Sequence, residues 1–307
     1  MGEGQEDSKD DKHYSIDLRF LRSLNSYILE CCLIDFDKES ALVDTHEHIR
    51  LLMDLWPDLP GNENKEQTLH DLLLSSGETF LQHQICESID ENLDLAIKLL
   101  GEAIRVGQVA FSTDKNESML SAICYLGEAY YKKNMKHDSI AALQWALSIG
   151  EVLQSESQKS GTGSMINQAL LSRQMIMICQ GLAQLHMENE QTKSLEFLKR
   201  AFRTYDFGNM ETDLFDDMID TVQLIGTIAL KEEGSVDRES LEFLELGVLL
   251  KENDIGNDHP DLIPLLSLLE GLYNKIQEEE KKDAISKRIF ELRCYTCPRE
   301  LTDEDDF

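Results

Sequence analysis

The amino-acid sequence predicts an all-α fold, an array of antiparallel helix hairpins. Three observations predict it. A small residue recurs along the chain, followed four positions later by a bulky or long one and three further on by a second small or apolar one. Ala96–Leu100–Ala103, Ser139–Leu143–Ala146, Ser194–Leu198–Ala201 and Ser240–Leu244–Gly247 are the best copies, and Ala284–Arg288–Glu291 is a degenerate fifth. Their first residues stand 43, 55, 46 and 44 positions apart, a period typical of stacked helical units that cannot bury a hydrophobic face alone. Next, 5 prolines and 17 glycines in 307 residues are too few for the turn punctuation of a β-rich fold. Lastly, abundant Leu, Ala, Glu and Lys favour helix, and a hydrophobic content of 41% is enough for burial.

Taken in order, residues 1–13 (MGEGQEDSKDDKH) are charged and poor in apolar residues, so a disordered acidic tail is expected. Residues 14–60 read as a helical cap. Ile16, Phe20, Leu24, Ile28 and Cys31 recur at near-helical spacing in a first helix over 15–34. Leu42, Ile49, Leu52, Met53 and Trp56 mark a second over 38–56, which Pro57 ends by disfavouring an α conformation at Trp56. After a loop, helical repeats are expected over 67–293. The five hairpins pair Leu69–Glu87 with Asn92–Val109, Ser118–Lys133 with Asp138–Leu153, Met165–Met187 with Thr192–Tyr205, Leu214–Lys231 with Arg238–Lys251, and Asp261–Ile276 with Lys282–Leu292. The low-complexity stretch QSESQKSGTGS at 154–164 is read as a flexible insertion that accounts for the 55-residue gap, and 294–307 as an acidic tail.

The second hairpin shows why small residues recur. Gly127, Ser139 and Ala146 allow two helices to approach closely, and Leu126, Tyr130 and Leu143 fill the space around the crossing. Leu126-Gly127, Tyr130, Ser139, Leu143 and Ala146 stand at the mutual spacings of the tetratricopeptide repeat, which this hairpin resembles. The third keeps Leu182-Ala183, Ser194, Leu198 and Ala201, the fourth Ile225-Gly226, Ala229, Ser240, Leu244 and Gly247, and the fifth Leu269, Tyr273 and Ala284. Gly256-Asn257-Asp258-His259-Pro260-Asp261 resembles the start of a repeat of the kinesin light chain type. There Asp258 or Asp261 is expected to cap a helix starting at Asp261, leaving Pro264 in its first turn.

The resemblance implies a right-handed superhelical array whose concave groove is lined by the first helix of each hairpin. Family groove positions fall on Cys124, Glu128, Tyr131 and Lys132 in the second hairpin and on Gln180, Gln184 and Glu188 in the third. They fall on Gln223, Thr227 and Lys231 in the fourth, and on Asn274 and Lys275 in the fifth. It further implies a non-enzymatic scaffold or adaptor that binds a peptide or helix of another protein, with no cofactor and no metal.

Charge sets the class of partner. With 59 acidic against 29 basic residues the net charge is −30, which repels nucleic-acid phosphates and favours basic protein segments. An acidic chaperone for a basic client such as histones is the alternative reading. No run reaches the roughly 18–20 apolar residues of a membrane span, the N-terminus has no apolar core of a secretory signal, and seven scattered cysteines do not suggest a disulfide framework. A cytoplasmic or nuclear location is therefore expected.

Two strings suggest chemistry. Asp44-Thr45-His46-Glu47-His48 resembles the D-x-H-x-H opening of amidohydrolase metal sites, which makes a metal-dependent hydrolase built on His46 and His48 a third reading. However, its flanks read as helical, and in a helix the two imidazoles would point about 200° apart. Cys294-Tyr295-Thr296-Cys297 is a C-x-x-C without the second pair that zinc requires.

Overall fold

The computed structural model describes residues 65–82, 88–111, 116–160, 168–205, 212–232 and 236–296. The expected tail at 1–13, the cap at 14–60 with His46 and His48, and Cys297 lie outside the described residues, as does the acidic tail beyond Thr296. All regular structure that is described is helical, in ten α-helices and one 3₁₀ turn. The chain divides into two compact units within one helix, between Gln174 and Met175.

The first unit holds α1 (Lys65–Gln82), α2 (Ile89–Ala110), α3 (Glu117–Lys132), α4 (Lys136–Ser160) and the opening turns of α5 (Gln168–His186). α1 packs on α2 and α3 on α4, while α3 also lies against α1 and α2. The seam of each pair is set by close approach. Ala96, Leu100 and Ala103 of α2 are fully buried, and a Cβ on Gly77 would stand 2.7 Å from Leu100 Cγ. Gly127 repeats the arrangement in the next hairpin, where its Cβ would be 2.8 Å from Leu143 Cγ. A hydrogen bond is added there: the buried Ser139 hydroxyl donates to the Gly127 carbonyl at 2.7 Å. Around the first seam Leu69, Leu73, Phe80, Leu93 and Leu99 form the core. Side chains of this size each contribute about 1.5–3 kcal/mol when removed from water.

The second unit holds the rest of α5, α6 (Gln191–Thr204), α7 (Thr212–Lys231), α8 (Arg238–Ile255), a 3₁₀ turn (Pro260–Leu262), α9 (Ile263–Lys275) and α10 (Glu279–Thr296). α7 packs on α6, α8 and α9, and α9 on α8 and α10. Ser194 donates to the Ala183 carbonyl at 2.7 Å, the same lock as in the second hairpin. In the fourth hairpin Gly226 faces Leu244 and Gly247 faces Val222. The residue three before Ser240 is an aspartate, so the Ser240 hydroxyl donates instead to Asp237, the residue that caps α8. These seams are those of antiparallel helix hairpins packed through small residues, and the small-residue positions of the first four copies are where the sequence places them.

The structure corrects three expectations. In α10 Ala284 is exposed, whereas Ile289 and Leu292 are buried and Ile285 is half-buried. The buried face of the fifth hairpin is therefore Ile285–Ile289–Leu292, one residue on from Ala284–Arg288–Glu291, because α10 offers isoleucine rather than a small residue to α9. The 154–164 stretch is not wholly an insertion: α4 continues to Ser160, with Leu153 and Ser157 buried. The turn before α9 is capped by His259, whose Nδ1 accepts from the Asp261 amide at 3.3 Å, and not by Asp258 or Asp261. Pro264 does lie in the first turn of α9, where its missing amide costs no helical bond.

Two turns share one design. Asn134 (φ +60°) and Gln277 (φ +64°) take left-handed conformations. The next amides, of Met135 and Glu278, return to the Tyr130 and Tyr273 carbonyls at 2.8 and 3.0 Å. Both α3 and α9 thus end in the six-to-one bond that satisfies a carbonyl left over by the last turn.

Candidate functional site

On α3 a polar stripe runs through Ser118, Ser121, Tyr125, Glu128 and Lys132, spaced at three and four residues so that they share one face. Neighbouring helices engage Ser118, Ser121, Tyr125 and Lys132, while Glu128 pairs within α3. His70 of α1 is fully buried, and its Nδ1 lies 2.7 Å from the Ala103 carbonyl. A carbonyl only accepts, so Nδ1 carries a proton, while Nε2 lies 2.8 Å from the Ser118 oxygen, whose hydroxyl also reaches Asp71 at 3.5 Å. The edge of the ring meets Phe111 at 5.0 Å between centroids. This serine–histidine pair has hydrogen-bond geometry, but the imidazole is sealed inside the unit, which suits structure rather than turnover.

Further along the stripe, the Gln174 amide donates to the Ser121 oxygen, and the Tyr125 hydroxyl donates to Glu78 at 2.6 Å. Burial, the Glu78 bond and the charges of Glu78 and Glu128 push the Tyr125 phenol well above its ordinary range. Lys132 pairs with Glu128 at 2.8 Å and donates to the Leu81 carbonyl at the end of α1, at 3.3 Å. Of the four residues expected here, Glu128 is half-buried on the stripe, and Tyr131 and Lys132 are exposed. Cys124 is a correction. It lies in the core, where burial, with Glu128 nearby, pushes its thiol far up, so it offers no surface to a partner. Ser121 and Tyr125 were missed. Their signal is the i, i+4, i+7 polar phase that ends on Glu128, one position out of step with Cys124.

In the second unit Gln180 donates to the buried Thr221 at 2.9 Å and to the Tyr205 oxygen at 3.3 Å. Burial, opposed by the Thr221 bond but helped by the charges of Asp217 and Asp220, pushes the Tyr205 hydroxyl up to about 12. Gln184, Glu188, Lys231 and Asn274 are exposed, and Gln223 and Thr227 are half-buried. The Thr227 hydroxyl turns back on the Gln223 carbonyl at 2.8 Å. Lys275 is not a free cation. Its ammonium donates to the carbonyls of Ala229 at 2.9 Å, Leu230 at 3.4 Å and Glu232. Those carbonyls belong to the end of α7 and the residue after it, where a helix leaves acceptors without partners and a cation is favoured. Lys132 does the same to α1, so the last lysine of one first helix ties down the end of the preceding one in both units.

No group of three or more His, Cys, Asp or Glu among the described residues is placed to hold a metal ion. No described helix is long and apolar enough to cross a membrane. The described cysteines include three free thiols, Cys124 and Cys179 buried and Cys294 exposed.

No family model matches this sequence, and no curated protein matches it. Solved structures do match. A kinesin light chain-like array of nearly identical TPR-like repeats from Podosopora anserina aligns at 13% identity over 76% of this chain and 98% of its own, with a TM-score of 0.47. BtubC (BKLC) from P. vanneervenii aligns at 14% identity over 91% of each chain, with a TM-score of 0.46. A de novo designed helical repeat protein aligns at 12% identity over 76% of this chain and 97% of its own, with a TM-score of 0.35. At these scores the likeness adds nothing to what the hairpins themselves show.

Proposed function

We propose that the chain is a non-enzymatic scaffold that binds a segment of another protein along the faces of its first helices, and that the segment is basic. One observation carries the reading. Lys132 and Lys275 are spent on main-chain carbonyls, while acids such as Glu78, Glu128, Asp216 and Asp220 remain at least partly exposed in a chain of net charge −30. The faces therefore offer acceptors and negative charge, the complement of a peptide or helix rich in lysine or arginine. Tyr131, Gln184, Glu188, Gln223, Thr227, Lys231 and Asn274 supply the remaining polar contacts. A cytosolic or nuclear setting fits such a partner.

The test is affinity capture from the native source with the full chain and with a Tyr131→Ala/Gln184→Ala/Asn274→Ala variant, washed at low and moderate salt. The proposal expects a basic partner that the variant loses. Equal capture by both proteins would refute it. A set of basic clients that all leave at moderate salt, whichever protein is used, would instead support the acidic-chaperone reading.

A further inference from the structure

α10 is the last helix among the described residues. Its buried side carries Ile289 and Leu292. On the opposite side Asp283, Lys287, Phe290 and Cys294 follow one another at spacings of four, three and four, and all are exposed. Phe290 is 68% exposed, more than any other large hydrophobic residue described. The end of a repeat array normally presents a polar outer face, so a bare aromatic ring there calls for a cover. Two cations flank it, Lys287 three residues before and Arg293 three residues after. The bond from Lys287 to Glu291 is long, at 3.8 Å, and leaves the lysine side chain 79% exposed. From Lys287 to Thr296 there are three basic residues against one acidic, in a chain whose net charge is −30. The complement of this face is an apolar side chain with acids on both sides of it.

The chain carries that chemistry immediately after α10. Residues 297–307 hold five acidic residues and one basic, and Leu301 stands between Glu300 and the pair Asp303-Glu304. We propose that this tail folds back along α10 in the opposite direction, with Leu301 on the Phe290 ring, Glu300 beside Arg293, and Asp303 and Glu304 beside Lys287. The reach is sufficient. Phe290 lies six residues before Thr296, about 9 Å along the helix, and the five residues from Thr296 to Leu301 span up to about 17 Å. Pro298 disfavours an α conformation at Cys297, and α10 stops at Thr296, so the chain is free to leave the helix axis there. A short tether also gives the tail a local concentration on the order of millimolar, which lets a small contact form. A second copy of the chain fits the face less well: it would set Lys287 and Arg293 against their own counterparts. The contact gives the array a polar end and keeps its aromatic ring from other molecules. It does not depend on the scaffold reading.

Cys294, exposed one turn beyond Phe290 on the same face, is a reporter of the cover. The test uses the full chain with Cys297→Ser, so that alkylation of Cys294 by iodoacetamide is read alone by mass spectrometry of the peptide that begins there. Leu301→Ser and Phe290→Ser change no charge and remove one side of the contact each. Both should speed the reaction by about fivefold, with the helical circular dichroism unchanged because Phe290 is outside the core. Phe307→Ser should leave the rate where it was. Equal rates in the parent and Leu301→Ser, protection that survives Phe290→Ser, or protection lost in Phe307→Ser instead would each overturn the assignment. So would protection that fades on dilution, the mark of a second copy on this face.

Discussion

Replacing Gly107 by alanine should destabilise the first unit by about 1–5 kcal/mol. Gly107 is buried in α2, and a Cβ there would stand 2.3 Å from Met119 Sδ, 2.7 Å from His70 Nδ1 and 3.1 Å from His70 Cε1. Ordinary contact begins at 3.4 Å, so the ring must retreat by about 0.7 Å. The methionine can swing aside within limits, but the imidazole is pinned between Ala103 and Ser118 and backed by Phe111. Overpacking of this kind costs about 1–3 kcal/mol. Pulling the buried Nδ1–H off its carbonyl costs about 1–3 kcal/mol more. Against both stands a gain of about 1 kcal/mol from exchanging a helical glycine for alanine. Trp145 lies in this unit, so urea unfolding followed by its fluorescence reads the unit's stability. Gly101→Ala is the control: its Cβ would meet nothing within 4 Å, and a gain of about 0.5–1 kcal/mol is expected. Were Gly107→Ala to match or exceed the unmodified protein, His70 could not be the fixed buried element described above.

Other outcomes are accessible to similar measurements. Gln277→Gly should raise the stability of the second unit by about 1 kcal/mol, because a left-handed position strains any side chain; a lowered urea midpoint by circular dichroism would contradict the turn geometry. Lys275→Met keeps the aliphatic stem but removes the ammonium, and about 1–2 kcal/mol should be lost, with faster hydrogen exchange confined to the end of α7. Ser139→Ala should cost about 1 kcal/mol, since the Gly127 carbonyl keeps its helical partner when the hydroxyl goes. The Tyr205 hydroxyl has a raised folded value of about 12 against roughly 10 when unfolded. Its contribution is whole below pH ~10 and fades as pH climbs toward 12. Tyr205→Phe should flatten that part of the alkaline unfolding profile.

The seams were legible because close helix contact needs small side chains at fixed local spacing, a requirement written within one helix at a time. Ala96, Ser139, Ser194 and Ser240 all lie buried where that spacing puts them. The fifth copy misled because Ala284 is small for no packing reason, while the apolar Ile285, Ile289 and Leu292 keep the same spacing one residue later. The surroundings of the expected groove residues were harder to read. Whether Lys132 or Lys275 is free depends on carbonyls 51 and 43–46 residues earlier, and main-chain acceptors leave no trace in residue identity. Cys124 fell inside because a family position fixes a helical phase only to within one residue, and 100° of rotation separates its core from its surface.

The bonds that join successive hairpins within each unit reach only tens of residues along the chain: 36 from Arg203 to Glu239, 47 from Tyr125 to Glu78 and 53 from Gln174 to Ser121. A ribosome adds such lengths in seconds, at about 5–20 residues per second. Within each unit, a hairpin joined by such bonds therefore meets its predecessor almost as soon as it emerges. Local topology of this sort gives rapid folding, and the growing chain exposes at most one unfinished edge at a time.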